Sequence, residues 1–242
     1  MDMKISGSGH ITAGRYENIH ISGSARLGSP VQCQSLHCSG ASHGEGNLDA
    51  QQEISISGSA HFEGNVSAQD IKISGSAGID GNCTSTEDMQ ISGSMRCGGD
   101  IKGNSIRISG SLHVTNMEGE DVNISGKITC PGLLNAENIV IKMFGSTSEI
   151  GSIGGSSIRV TVERNHPEVT RLISKLLGRH GHVGLTVKES IEGDDISLER
   201  VTAKSVTGRT VAIGAGCHIE LVQYSEAIEI SPDAKVERQE RI

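Results

Sequence analysis

The residues best able to do chemistry are histidines, cysteines and one acidic cluster. Arg179-His180-Gly181-His182 carries the H-x-H spacing of some metal sites, but no third ligand accompanies it. Glu192-Gly193-Asp194-Asp195 offers carboxylates to a cation, yet it lacks the ligand spacing of an EF-hand loop and reads as a solvated turn. His10, His20, His37, His43, His61 and His113 stand at differing offsets from a recurring glycine. They therefore do not make one ladder, and read as solvated strand or corner residues. None of the six cysteines forms a C-x-x-C pair, and neither a nucleophile elbow nor a P-loop is present. The sequence assigns no catalytic, cofactor-binding or metal-binding residue, and the expectation is a protein that is not an enzyme and carries no cofactor.

Composition narrows the partners. The net charge of −8 and the absence of a basic stripe argue against nucleic acid. Four aromatics (Tyr16, Phe62, Phe144 and Tyr224) cannot build a base-stacking platform. No apolar run approaches the roughly 20 residues that span a bilayer, and the opening Met1-Asp2-Met3-Lys4-Ile5-Ser6-Gly7 lacks the apolar stretch of a signal peptide. The expectation is a cytoplasmic protein without direct membrane insertion.

What must position any site is a repeat. Ser-Gly recurs at Ser6-Gly7, Ser22-Gly23, Ser39-Gly40, Ser57-Gly58, Ser74-Gly75, Ser92-Gly93, Ser109-Gly110 and Ser125-Gly126, with gaps of 16 to 18 residues. Two residues before each glycine sit Ile5, Ile21, Cys38, Ile56, Ile73, Ile91, Ile108 and Ile124. Four before, from the second repeat on, come Ile19, Leu36, Ile54, Ile71, Met89, Ile106 and Val122. Further apolar columns follow at four and eight residues after the glycine, and Gly46, Gly64, Gly81, Gly99 and Gly132 supply a second turn signal. Period-2 alternation in short stretches means strands, and about 17 residues close one triangular circuit of three strands. The fold expected is an all-β parallel β-helix, a solenoid whose rungs bury each other's aliphatic residues. In this reading glycine supplies the positive φ of a sharp corner and serine hydroxyls bond along the stack. Cys38, Cys83, Cys97 and Cys130 occupy aliphatic columns and read as small buried hydrophobes.

After Gly126 the register loosens. Glu168 to Leu177 then places Val169, Leu172, Ile173, Leu176 and Leu177 at helical spacing, behind Pro167 and ahead of Gly178. One inserted α-helix is expected, its stripe covering a side or end of the solenoid or meeting the same helix of another chain. Rungs resume by Ile196-Ser197-Leu198, Val211-Ala212-Ile213 and Ile228-Glu229-Ile230. The organisation expected is a main solenoid over 1–162, a helical insertion over 163–182, and resumed rungs with a charged cap over 183–242.

The repeated Ile-x-Ile-Ser-Gly-Ser unit, as at Ile71 to Ser76 and Ile106 to Ser111, resembles the bactofilins, polymer-forming cytoskeletal proteins of bacteria, and the longer Bacillus-type members most. Gly216 to Ser225 followed by Ile228-Glu229-Ile230 also resembles a family ending. The resemblance implies a right-handed β-helix that assembles end to end into nucleotide-independent filaments. It implies a non-enzymatic scaffold, partnered by itself and by morphogenetic or flagellar proteins, that acts in cell-shape, cell-wall or flagellar assembly. The alternative is a capped monomeric or dimeric binding module. A β-helix acyltransferase fits less well, because the columns do not keep a strict six-residue period.

Overall fold

The computed structural model describes residues 1–144, 147–162 and 184–242. Among them every regular element is a strand and every strand pairing is parallel. The helix expected around Val169, Leu172, Ile173, Leu176 and Leu177 lies outside the described residues, as do His180 and His182.

A single file of side chains runs the length of the molecule. Ile5, Ile21, Cys38, Ile56, Ile73, Ile91, Ile108, Ile124, Ile141, Val160, Leu198, Ile213 and Ile230 each stand opposite the next. Thirteen members make thirteen rungs, numbered here from Ile5 (rung 1) to Ile230 (rung 13). At about 4.8 Å per step the stack is about 58 Å long. A second file two residues earlier, from Met3 through Ile19, Met89 and Ile158 to Ile228, keeps the same register. These two files form the first face. The second face follows the Ser-Gly corner, as in Ser24–Leu27 and Ser76–Ile79, and the third carries Val31, Leu48, Val66, Cys83 and Ile101 inward.

The core is the axis of this triangle. Ile19, Leu36, Ile54, Phe62, Ile91, Ile106, Ile139 and Val206 are almost wholly excluded from solvent. Buried aliphatic surface stabilises by roughly 25 cal/mol per Å². No rung could bury its own face alone, so this energy belongs to contacts between neighbouring rungs.

The register expected to loosen after Gly126 does not. Ile124, Ile141, Val160 and Leu198 remain in one file although the Ser-Gly corner is gone. Corner length varies while strand register is held, because a one-residue slip would turn every aliphatic residue of a rung outward. The charged stretch Lys235–Arg241 is itself a strand, in parallel register with His218 to Tyr224.

The corner glycines serve a purpose other than the one expected. Their φ values are not positive; among the described glycines only Gly14 and Gly216 have positive φ. Instead, a Cβ on Gly23, Gly40, Gly58, Gly75, Gly93 or Gly110 would collide with the carbonyl oxygen of the corner glycine one rung below. The close approach lets one carbonyl accept two amide donors. Ser92 N and Gly93 N donate to Ile73 O at 2.8 and 3.1 Å, and Ser109 N and Gly110 N donate to Ile91 O at 2.8 and 3.3 Å. Backbone bonding thus holds the corner, while Ser39 Oγ reaches Ile21 O only at 3.4 Å.

Candidate functional site

The surfaces that could meet another molecule are the three faces and the outer edges of rungs 1 and 13. Side chains pointing outward stand in columns about one strand spacing apart, so each meets its neighbours one rung above and below.

The corner after the second face carries an asparagine ladder that the sequence reading missed. Asn47 Oδ1 accepts from Asn65 N at 2.9 Å, Asn65 Oδ1 from Asn82 N at 2.8 Å, and Asn82 Oδ1 from Asp100 N at 2.9 Å. Asn116 Nδ2 donates to Asp100 Oδ1 at 2.8 Å, and Asn116 Oδ1 accepts from Leu133 N at 2.9 Å. The signal was present, because Asn or Asp follows Gly46, Gly64, Gly81 and Gly99. Each side-chain oxygen satisfies a corner amide that has no strand partner.

Histidines form two ladders on two faces, which is why their offsets looked unrelated. His20 and His37 pair on the first face with ring centroids 5.1 Å apart and planes 9° from parallel. His43 and His61 stack on the second face at 5.4 Å. Each of the latter turns Nε2 to a carboxylate one rung on, Glu63 at 3.2 Å and Asp80 at 3.4 Å. Stacked rings direct their in-plane lone pairs side by side rather than at one point. Among the described residues no group of three or more His, Cys, Asp or Glu side chains is placed to hold a metal ion.

Other charges are also spent between rungs. Lys72 Nζ meets Glu53 at 2.9 Å and Arg107 meets Asp88 at 3.0 Å. The Glu53 carboxylate raises the Lys72 pKa, and the hydrogen bonds from Asn18 lower that of Asp2. The Glu192 to Asp195 cluster is strand rather than turn. Asp195 accepts from Arg209 at 2.9 and 3.0 Å and from the Thr210 hydroxyl, while Arg209 also reaches Glu226 at 3.1 Å. These exposed pairs guide register more than they stabilise.

All six cysteines are free and buried. Burial pushes the Cys33 thiol up to about 12 and those of Cys97 and Cys130 up to about 11, against an ordinary value of 9.0. A thiol held protonated this firmly is neither nucleophile nor ligand. This agrees with their reading as small hydrophobes.

The edges differ from the sides. At rung 1 Met3 and Ile5, and at rung 13 Ile228, Ile230 and Val236, are only partly buried, because no described rung covers them. Hydrogen-bonding groups on the outer side of these strands have no described strand to pair with. Such edges template a further strand.

Comparison with known proteins finds similarity over part of the chain. Residues 1–84 match the bactofilin family, described as polymer-forming cytoskeletal. The matched segment covers rungs 1 to 4 and most of rung 5, within the stretch that carries the Ser-Gly corner. Two curated relatives from Bacillus subtilis (strain 168) are similar beyond that segment's length. Uncharacterized protein YhbE is 36% identical over 106 residues, which is 44% of this chain and 41% of that protein. Uncharacterized protein YhbF is 31% identical over 111 residues, 46% of this chain and 42% of that protein. The match thus spans about two fifths of each relative's own length. No solved structure matches. No helix among the described residues is long and apolar enough to cross a membrane.

Proposed function

We propose that the protein is a non-enzymatic scaffold of bactofilin type that assembles by stacking the end rungs of successive copies. Its filaments would then present the side-chain ladders to partner proteins in cell-shape, cell-wall or flagellar assembly. One observation carries the proposal: the aliphatic files that run unbroken from Ile5 to Ile230 end in partly buried residues at both outer edges. Stacking a second copy buries those residues and pairs the open strand edges in one step. The family description of residues 1–84 as polymer-forming supports the same reading.

Electron microscopy and light scattering on purified protein test the proposal. Scattering that grows with concentration, together with filaments of the solenoid's width, is the expected result. A sharp monomer peak that does not change with concentration would defeat it and favour the binding-module reading. Clear binding of an acyl-CoA would reverse the non-enzymatic reading.

A further inference from the structure

A hollow of about 280 Å³ lies on the third face across rungs 1 to 3, on a side of the solenoid rather than on its stacking edges. Its floor is Cys33, whose side chain turns inward. One wall is the outward column of Arg15, Gln32 and Asp49, which stand opposite each other from rung to rung. The other wall is Gln34 and Gln51, each two residues beyond the first wall on its own strand and so about 7 Å from it. Tyr16 bounds the hollow at rung 1, its hydroxyl donating to Thr12 O at 2.9 Å. The register shifts beside the second wall: Cys33 stands opposite Ala50 but Ser35 opposite Glu53, so Gln51 and Gln52 together oppose Gln34. Such a bulge re-aims side chains. Arg15 Nε donates to Gln32 Oε1 at 2.7 Å, and Asp49 accepts from Ser67 Oγ at 2.9 Å. The Gln34 and Gln51 side chains make no hydrogen bond among the described residues. Three of the chain's eight glutamines line this one hollow, so its chemistry is that of the primary amide.

We propose that this hollow binds an extended, uncharged oligosaccharide lying along the solenoid axis. Each amide is donor and acceptor at once, which suits neighbouring hydroxyls that are both as well. Arg15 and Asp49 stand on one wall with opposite charges, so the hollow has no net charge with which to select an ion. Repeat length separates a glycan from a peptide. Rungs follow each other at about 4.8 Å, and a sugar unit of an extended β-linked chain advances by close to one rung, so successive units meet successive rungs. A peptide strand advances about 3.3 Å per residue and falls out of step. Tyr16 adds an apolar ring with a polar tip at one end, the kind of group that packs against the C–H face of a sugar. The proposal is independent of filament formation, since the hollow faces sideways.

Two measurements on the full chain test it. The sequence has no tryptophan and two tyrosines, so in Tyr224→Phe the tyrosine emission reports Tyr16 alone. Cellotetraose and chitotetraose, both extended and β-linked, are the probes, and calorimetry supplies the affinity. The expected result is saturable binding of at least one of them, with a change in Tyr16 emission. Gln34→Ala combined with Gln51→Ala should weaken that binding about tenfold, the worth of two amide hydrogen bonds, and leave the circular dichroism spectrum unchanged. Gln90→Ala, on the first face, should bind like the parent. No saturable binding of either sugar, or binding that survives the double substitution, would overturn the proposal. Equal binding of an extended Gly/Ser tetrapeptide would assign the hollow to peptide backbones and overturn it as well.

Discussion

The carbonyl oxygen of Gly75 occupies the space that a side chain on Gly93 would need. That relationship repeats from corner to corner, and it makes glycine obligatory for reasons of distance rather than of torsion. Gly93→Ala must push rung 6 away from rung 5 or tilt the corner, and should cost about 1–3 kcal/mol, as overpacking does elsewhere. Gly7→Ala meets nothing within 4 Å, because no described rung lies below it. It should change stability by less than about 0.5 kcal/mol. Thermal melts of the two variants, compared with the parent, check the contrast.

Ile91 is fully buried in the central file, whereas Ser94, three residues on, is exposed beside the corner. Ile91→Asp places an unpaired carboxylate among aliphatic neighbours and should cost several kcal/mol. Ser94→Ala should be nearly neutral. Circular dichroism melts that moved both variants equally would show the assigned register to be wrong.

How much of this was legible in the residues follows from what a column can reveal. Identity at a fixed offset exposes the inward files directly, so Ile21, Cys38 and Ile56 announced their stacking and the cysteines their burial. It reports that Gly recurs but not why, since a positive φ and a close approach both demand glycine. The φ of Gly93, which is not positive, and the position of Gly75 O beside it separate them. Outward ladders were harder to read because their chemistry changes from rung to rung. His43 and His61 share a column with Arg26 and Gly78, and the Asn47–Asn65–Asn82 ladder continues into Asp100. In rungs 9 to 13 the Ser-Gly corner disappears while the files persist, so a reading keyed to corners lost the register that the aliphatic residues keep. The stripe Val169, Leu172, Ile173, Leu176 and Leu177 lies outside the described residues.

The asparagine ladder should matter locally. Asn82→Ala removes the oxygen that accepts Asp100 N at 2.9 Å, while Asn82 N keeps its own bond to Asn65. Loss of one such bond near solvent should cost about 0.5–1.5 kcal/mol. Hydrogen exchange should quicken at the Asp100 amide and stay unchanged at that of Asn65. Uniform quickening along the solenoid would mean the ladder is not a local fastening.

Stability should fall on the alkaline side because of the buried thiols. Burial raises Cys33 from 9.0 to about 12, and Cys97 and Cys130 to about 11. Above pH 9 the unfolded chain therefore releases thiol protons that the folded chain retains, and the equilibrium moves toward unfolding. This contribution is fully present below pH 9 and is lost progressively up to about 11 for Cys97 and Cys130 and about 12 for Cys33. Denaturant midpoints measured from pH 7 to 10.5 should decline in that window. Cys97→Val with Cys130→Val, replacements that other rungs already carry in these columns, should flatten the decline. An unchanged slope would assign it to other groups.

Ile5 and Ile230 close the two ends of one file, and both are only partly covered. In a single copy, Ile230→Lys can keep its ammonium in water at the outer edge, so the solenoid should fold with little loss. Across a junction the same ammonium would be buried against the next copy's aliphatic file, at a cost of several kcal/mol. Ile230→Lys should therefore scatter light as single molecules at concentrations where the parent forms filaments, and the two should have the same circular dichroism spectrum. Leu133→Lys supplies the control, since Leu133 is 45% exposed and sits at a corner in mid-stack. That variant should assemble like the parent. Filaments of Ile230→Lys indistinguishable from the parent's would rule out the end rungs as the assembling surface and turn attention to the side faces.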